Sequence, residues 1–98
     1  MKCKCCNKKD IEKFVKTLSV MAEPNRLKLL CFLSKCEHCV CEAEEALNLP
    51  QNLISHHLKV LRDAGLVTFK KRAQWKHYSV NKKAIKDFKK FLTQRNYF

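Results

Sequence analysis

Apolar positions Ile11, Phe14, Val15 and Leu18 recur at i, i+3, i+4 and i+7. That spacing predicts a first helix from about Asp10 to Met21, with Asp10 as its N-cap. Glu23-Pro24 restarts the chain, because proline suits the first helical position. Leu27, Leu30 and Cys31, flanked by Leu29 and Leu33, predict a strongly apolar second helix to about Ser34. In that pattern Cys31 reads as core. A short third helix is expected from Cys41 to Leu47, ended by Asn48 in the left-handed conformation. Pro50 opens a fourth, Gln51 to Ala64, with Ile54, Leu58 and Leu61 inward, and Gly65 closes it. The period then drops to two over Leu66–Lys71 and Lys76–Val80, a hairpin turned at residues 72–75. A last helix, Lys82 to Gln94, turns Ile85, Phe88 and Leu92 inward. The order α-α-α-α-β-β-α is mainly α and describes a winged helix-turn-helix.

Composition narrows the partner. The chain has 98 residues, 21 Lys plus Arg against 9 Asp plus Glu, a net charge of +12, one Gly and seven Cys. One domain is expected at 10–95, preceded by a cysteine-rich arm at 1–9. The excess positive charge points to a polyanion. Its distribution is uneven: residues 70–98 hold ten Lys/Arg and one acid, Asp87, while Cys36 to Pro50 holds four acids and no Lys or Arg. The longest apolar run, Leu29 to Leu33, is too short to cross a membrane, and no signal peptide is legible, so no membrane partner and a cytoplasmic location are expected. Reduced thiols there suggest metal or redox chemistry before disulfides. No Cys/His/acid set reads as a catalytic pocket, so an enzyme is not expected.

The segments Glu23-Pro24-Asn25-Arg26-Leu27-Lys28-Leu29-Leu30, Glu37-His38-Cys39-Val40-Cys41 and Gln51 to Val67, with Ser55-His56-His57-Leu58-Lys59 and Ala64-Gly65-Leu66-Val67 at its heart, follow in order. Together they resemble the ArsR/SmtB family of metal-responsive bacterial repressors over about residues 10–92. The resemblance implies a homodimer on double-stranded operator DNA. Apolar surface on the first and last helices (Phe14, Val15, Leu18, Phe88, Phe91, Leu92) would form the two-fold interface.

The fourth helix offers Gln51, Asn52, Ser55, His56, Lys59 and Arg62 to a major groove. His57, between Ile54 and Leu61, is divided between that role and the core. The hairpin offers Lys70, Lys71, Arg72, Lys76 and His77 to phosphates. Its turn lacks the glycine usual in the family, which makes a positive φ expensive, and Trp75 is expected to pack at the wing base.

Cys39 and Cys41 lie about 200° apart on a regular helix, so both can bind one ion only if Cys39 precedes the helix or the first turn distorts. A helix N-terminus would lower a thiol pKa. Such thiolates suit Cd(II), Pb(II), Zn(II), Cu(I) or As(III). The resemblance implies a mixed site in which Cys3, Cys5 or Cys6 of the arm joins Cys39 and Cys41. The alternative is a local site with Cys36 as third ligand. His38 reads as a surface or loop residue, and the family's Asp/His site on the last helix is not expected, since that helix holds no His. Oxidation or persulfide formation at the thiols, and a cysteine-rich metal buffer, are the competing readings.

Overall fold

A computed structural model describes residues 8–94. It contains α1 (Lys8–Met21), α2 (Pro24–Leu33), α3 (Val40–Leu47), α4 (Gln51–Asp63), β1 (Val67–Arg72), β2 (Trp75–Val80) and α5 (Lys82–Gln94). The element order is the expected one, with β1 and β2 forming an antiparallel hairpin.

Local signals place most boundaries. Glu23 is extended and its carboxylate accepts the Arg26 N–H at 2.9 Å, capping α2 one residue before Pro24. Asn48 ends α3 at φ 53° and Gly65 follows α4 at φ 77°. A Cβ at Gly65 would meet nothing within 4 Å, so the left-handed backbone alone calls for glycine there. Asn81 fastens the hairpin base: its side chain donates to the Gly65 carbonyl at 3.0 Å and accepts the Ala84 N–H at 3.3 Å, starting α5. One expectation fails here. Helix α1 begins at Lys8, so Asp10 sits inside its first turn, where its charge complements the helix dipole instead of capping the end.

The core is Leu29, Leu30, Leu33, Ala43, Ile54, Leu58, Leu61, Leu66 and Val67. Each large member contributes about 1.5–3 kcal/mol on burial. Cys31 is not among them; it is exposed. Helix α2 is apolar nearly all round. Leu29, Leu30 and Leu33 take the interior, and Leu27 and Cys31, four residues apart, share the outer flank.

The molecule is elongated, 54 × 23 × 19 Å. Its radius of gyration of 15.3 Å exceeds the ~13 Å of a compact domain this long. Phe14 of α1 stacks on Phe88 and Phe91 of α5, with ring centroids 5.1 and 4.2 Å apart. Those rings join the two helices and leave Ile11, Val15 and Leu18 exposed at 38%, 56% and 42%.

In the hairpin Val67 faces Val80 and Phe69 faces Tyr78, as the period-two pattern requires. Each strand runs one residue nearer the tip than expected, leaving Ala73-Gln74 as the turn. Ala73 carries the positive φ (56°) that glycine would normally supply, at a cost of about 1–2 kcal/mol. Trp75 therefore stands at the wing tip, 53% exposed, and not packed at the base as expected.

Candidate nucleic-acid interface and thiol cluster

Helix α4 divides into two faces. Ile54, His57, Leu58 and Leu61 are buried. Gln51, Asn52, Ser55, His56, Lys59 and Arg62 are exposed, as are Lys70, Lys71, Arg72 and Lys76 of the hairpin. His57 thus belongs to the interior, 6% exposed, with Nε2 3.6 Å from the Glu23 carboxylate. Burial pushes its pKa below the ordinary 6.5, opposed by the Glu23 charge and reinforced by Arg26 and His56.

The hairpin's outer rungs are Lys70↔His77, Lys71↔Lys76 and Arg72↔Trp75. Like charges directly opposite are unfavourable in an isolated hairpin. A polyanion placed against them relieves that repulsion. Phe69 organises part of this array. The Arg62 guanidinium lies 5.1 Å and the Lys76 ammonium 4.7 Å from its ring centre, so one aromatic ring holds a cation from α4 and another from the hairpin. A Phe flanked by Thr68 and Lys70 was legible as a strand residue, but nothing local marked it as a cation platform.

At the other end of the site, Cys39 is extended (φ −85°, ψ 169°) and lies just ahead of α3, while Cys41 is in its first turn. This is the condition under which an i, i+2 pair can converge, and the two Sγ atoms are 2.9 Å apart. The Cys39 N–H donates to Glu42 at 3.0 Å. The expected lowering of a thiol pKa by the helix end is reversed at Cys39: burial, and then its hydrogen bond with the Cys41 thiol, push it up. Cys36 Sγ lies 3.2 Å from His38 Nε2. Among the described residues no group of three or more His, Cys, Asp or Glu is arranged to hold an ion. Cys3, Cys5 and Cys6 lie outside the described residues.

His38, expected at the surface or in a loop, is half-buried. Its ring stacks on Phe32 with centroids 4.0 Å apart, and its backbone exchanges hydrogen bonds of 2.9 and 2.7 Å with Tyr78 of β2. Beside it, Glu37 accepts the Arg72 Nε–H and lies 3.9 Å from His77 Nδ1. The thiol segment is therefore fastened to the hairpin through backbone and side chains. Sequence reading missed both links, because the partners lie some 35 or more residues apart.

A helix-turn-helix with a polar outer α4, followed by a cationic hairpin, defines a winged helix-turn-helix regulator. Residues 23–68 match the family model described as "Bacterial regulatory protein, arsR family". The chain is 32% identical over 84 residues to the HTH-type transcriptional regulator MJ1325 of Methanocaldococcus jannaschii, covering 85% of this chain and 94% of that protein. It is 29% identical over 76 residues to the "Arsenical resistance operon repressor" of Bacillus subtilis, 76% of this chain and 72% of that one. It is 38% identical over 78 residues to the "Transcriptional activator HlyU" of Vibrio cholerae, 80% of this chain and 72% of that one. The structure titled "Reduced HlyU from Vibrio cholerae N16961" superposes with a TM-score of 0.76 at 34% identity, covering 93% of this chain and 96% of that one. The chain belongs to the ArsR family of transcriptional regulators. No helix among the described residues is long and apolar enough to cross a membrane.

Proposed function

We propose that this protein is a cytoplasmic, homodimeric repressor that binds operator DNA in its ion-free form and releases it when a soft ion occupies its cysteines. A cysteine-rich arm (1–9) and a single DNA-binding domain (10–95) divide the work. Gln51, Asn52, Ser55, His56, Lys59 and Arg62 read a major groove, and Lys70, Lys71, Arg72 and Lys76 hold phosphates. The exposed Ile11, Val15 and Leu18 stripe and the elongated shape support pairing of two copies.

The observation that carries the reading is the convergence of Cys39 and Cys41 at 2.9 Å on a segment bonded to the wing. Two adjacent thiols are the right donors for Cd(II), Pb(II), Zn(II), Cu(I) or As(III), and their number leaves room for further ligands. Cys3, Cys5 or Cys6 of the arm supplies the third in the favoured arrangement, and Cys36 does so in the alternative. A bound soft ion would hold the thiols deprotonated. Residues 36–41 carry Glu37 and His38, so any rearrangement of the thiols acts on Arg72 and Tyr78 and thereby on the wing's grip.

The same sulfur contact favours a second reading, oxidation of Cys39 and Cys41, and the name "Reduced HlyU" of a relative is in keeping with it. The raised Cys39 pKa bears on both readings alike, since the thiolate is both the metal ligand and the oxidant's target. A gel-shift titration with each ion and with peroxide tests both. Release by a soft ion under reducing conditions supports the proposal; release by peroxide alone contradicts it.

A further inference from the structure

We infer that Trp75 is a DNA contact: the wing tip presents its indole to the minor-groove wall of the duplex, where it packs on deoxyribose between phosphates held by neighbouring cations. The inference rests on the DNA-binding reading above. Trp75 opens β2 beside the two-residue turn and is the most exposed aromatic position of the described wing, at 53%. No ring or cation among the described residues stacks on it, whereas Phe69 on the opposite face holds both Arg62 and Lys76. Its face of the hairpin also carries Lys70, Arg72 and His77, by the alternation of the register.

Two of those neighbours are drawn aside. Glu37 takes the Arg72 Nε–H and lies within 3.9 Å of His77, leaving the indole uncovered at the end of the hairpin. A large apolar ring left in water amid cations fits one kind of surface, an apolar wall bordered by anions. A duplex groove, with sugar faces between phosphate rows, has that make-up. The indole N–H adds a donor for a groove acceptor or a phosphate oxygen. A second protein surface would have to be both apolar and strongly acidic.

The chain has one tryptophan, so its fluorescence reports on the surroundings of Trp75. The test uses the full chain and a duplex enriched by it from a random-sequence pool, with anisotropy of labelled DNA as the separate readout of binding. Bound duplex is expected to shield Trp75 from acrylamide and shift its emission. Trp75→Ala should lower affinity on the order of 10-fold with an unchanged salt slope and an unchanged circular dichroism spectrum. Lys71→Ala should instead flatten that slope by about 0.9. Trp75→Phe should recover part of the loss. DNA binding with Trp75 as accessible as in the free protein overturns this inference alone. An emission shift that follows protein concentration without DNA also overturns it, by assigning the indole to a protein contact. No binding to any duplex overturns the DNA-binding reading, and this inference with it.

Discussion

Glu37, in the loop between α2 and α3, accepts a hydrogen bond from Arg72 at the end of β1, joining the segment that bears Cys36 and Cys39 to the tip of the wing. That hydrogen bond, the largest influence on it, holds the Glu37 carboxyl below its ordinary 4.5. Arg72 is thereby shared between an internal carboxylate and any phosphate outside. Glu37→Ala should free it, since no side-chain acceptor is then left for the Arg72 Nε–H. DNA affinity of the ion-free protein should rise a few-fold, as expected for one added phosphate contact, and the salt slope should steepen by up to about 0.9. Ion-induced release should weaken in the same variant. Anisotropy titrations at several salt concentrations measure all three.

Acid should destabilise the protein first through His57. Its folded pKa lies below the ordinary 6.5, so the unfolded chain binds more protons than the folded one as pH falls. Its contribution is fully present above about 6.5 and is lost as pH drops from there toward the lowered folded value. The carboxyls of Glu23, Glu37 and Glu42, also lowered, act in the same direction below 4.5. His57→Gln should flatten the pH dependence of Tm between about pH 7 and pH 5, with the steeper loss below that range retained.

Pairing of two copies predicts a charge-sensitive stripe. Val15, 56% exposed, lies between Ile11 and Leu18 on α1. Val15→Glu places a carboxylate in that apolar row and should give a monomer by sedimentation, with far-UV circular dichroism preserved. Tight binding to an inverted repeat should fall to that of a single half-site. A dimer of unchanged affinity would remove α1 from the interface.

Cys31 and Leu61 separate exposed from buried apolar positions. Leu61 is fully buried, so Leu61→Ala should cost about 2–5 kcal/mol. Cys31 is exposed, and Cys31→Ser should change stability by no more than about 0.5 kcal/mol. Urea unfolding of both variants is the check.

These two residues also show where sequence reading succeeds. Leu61, with Ile54 and Leu58, forms the buried stripe of a helix whose outer face is polar, so period and burial agree. Cys31 lies on a helix apolar on nearly every side, where period carries no direction, and only packing chose Leu29, Leu30 and Leu33. The convergence of Cys39 and Cys41 was legible as a condition, because spacing alone requires one of them to precede the helix. The rise in the Cys39 pKa was not, since it comes from burial and a neighbouring thiol. Trp75 was misplaced because the strands extend one residue further toward the tip, over a turn that Ala73 makes without glycine. The Glu37–Arg72 and His38–Tyr78 links join distant segments, and no local period encodes them.

The central claim is that Cys39 and Cys41 govern the grip on DNA, and anisotropy of a bound duplex with and without Cd(II) tests it most directly. Coupling energies of about 1–3 kcal/mol correspond to a weakening of about 5- to 150-fold. The wild-type protein should weaken by an amount in that range on adding Cd(II), with thiolate charge-transfer absorption appearing and protons released. Cys39→Ser/Cys41→Ser should bind the duplex as tightly as wild type and respond to Cd(II) in neither absorption nor affinity. A double variant that still lets go of DNA when Cd(II) is added would contradict the account.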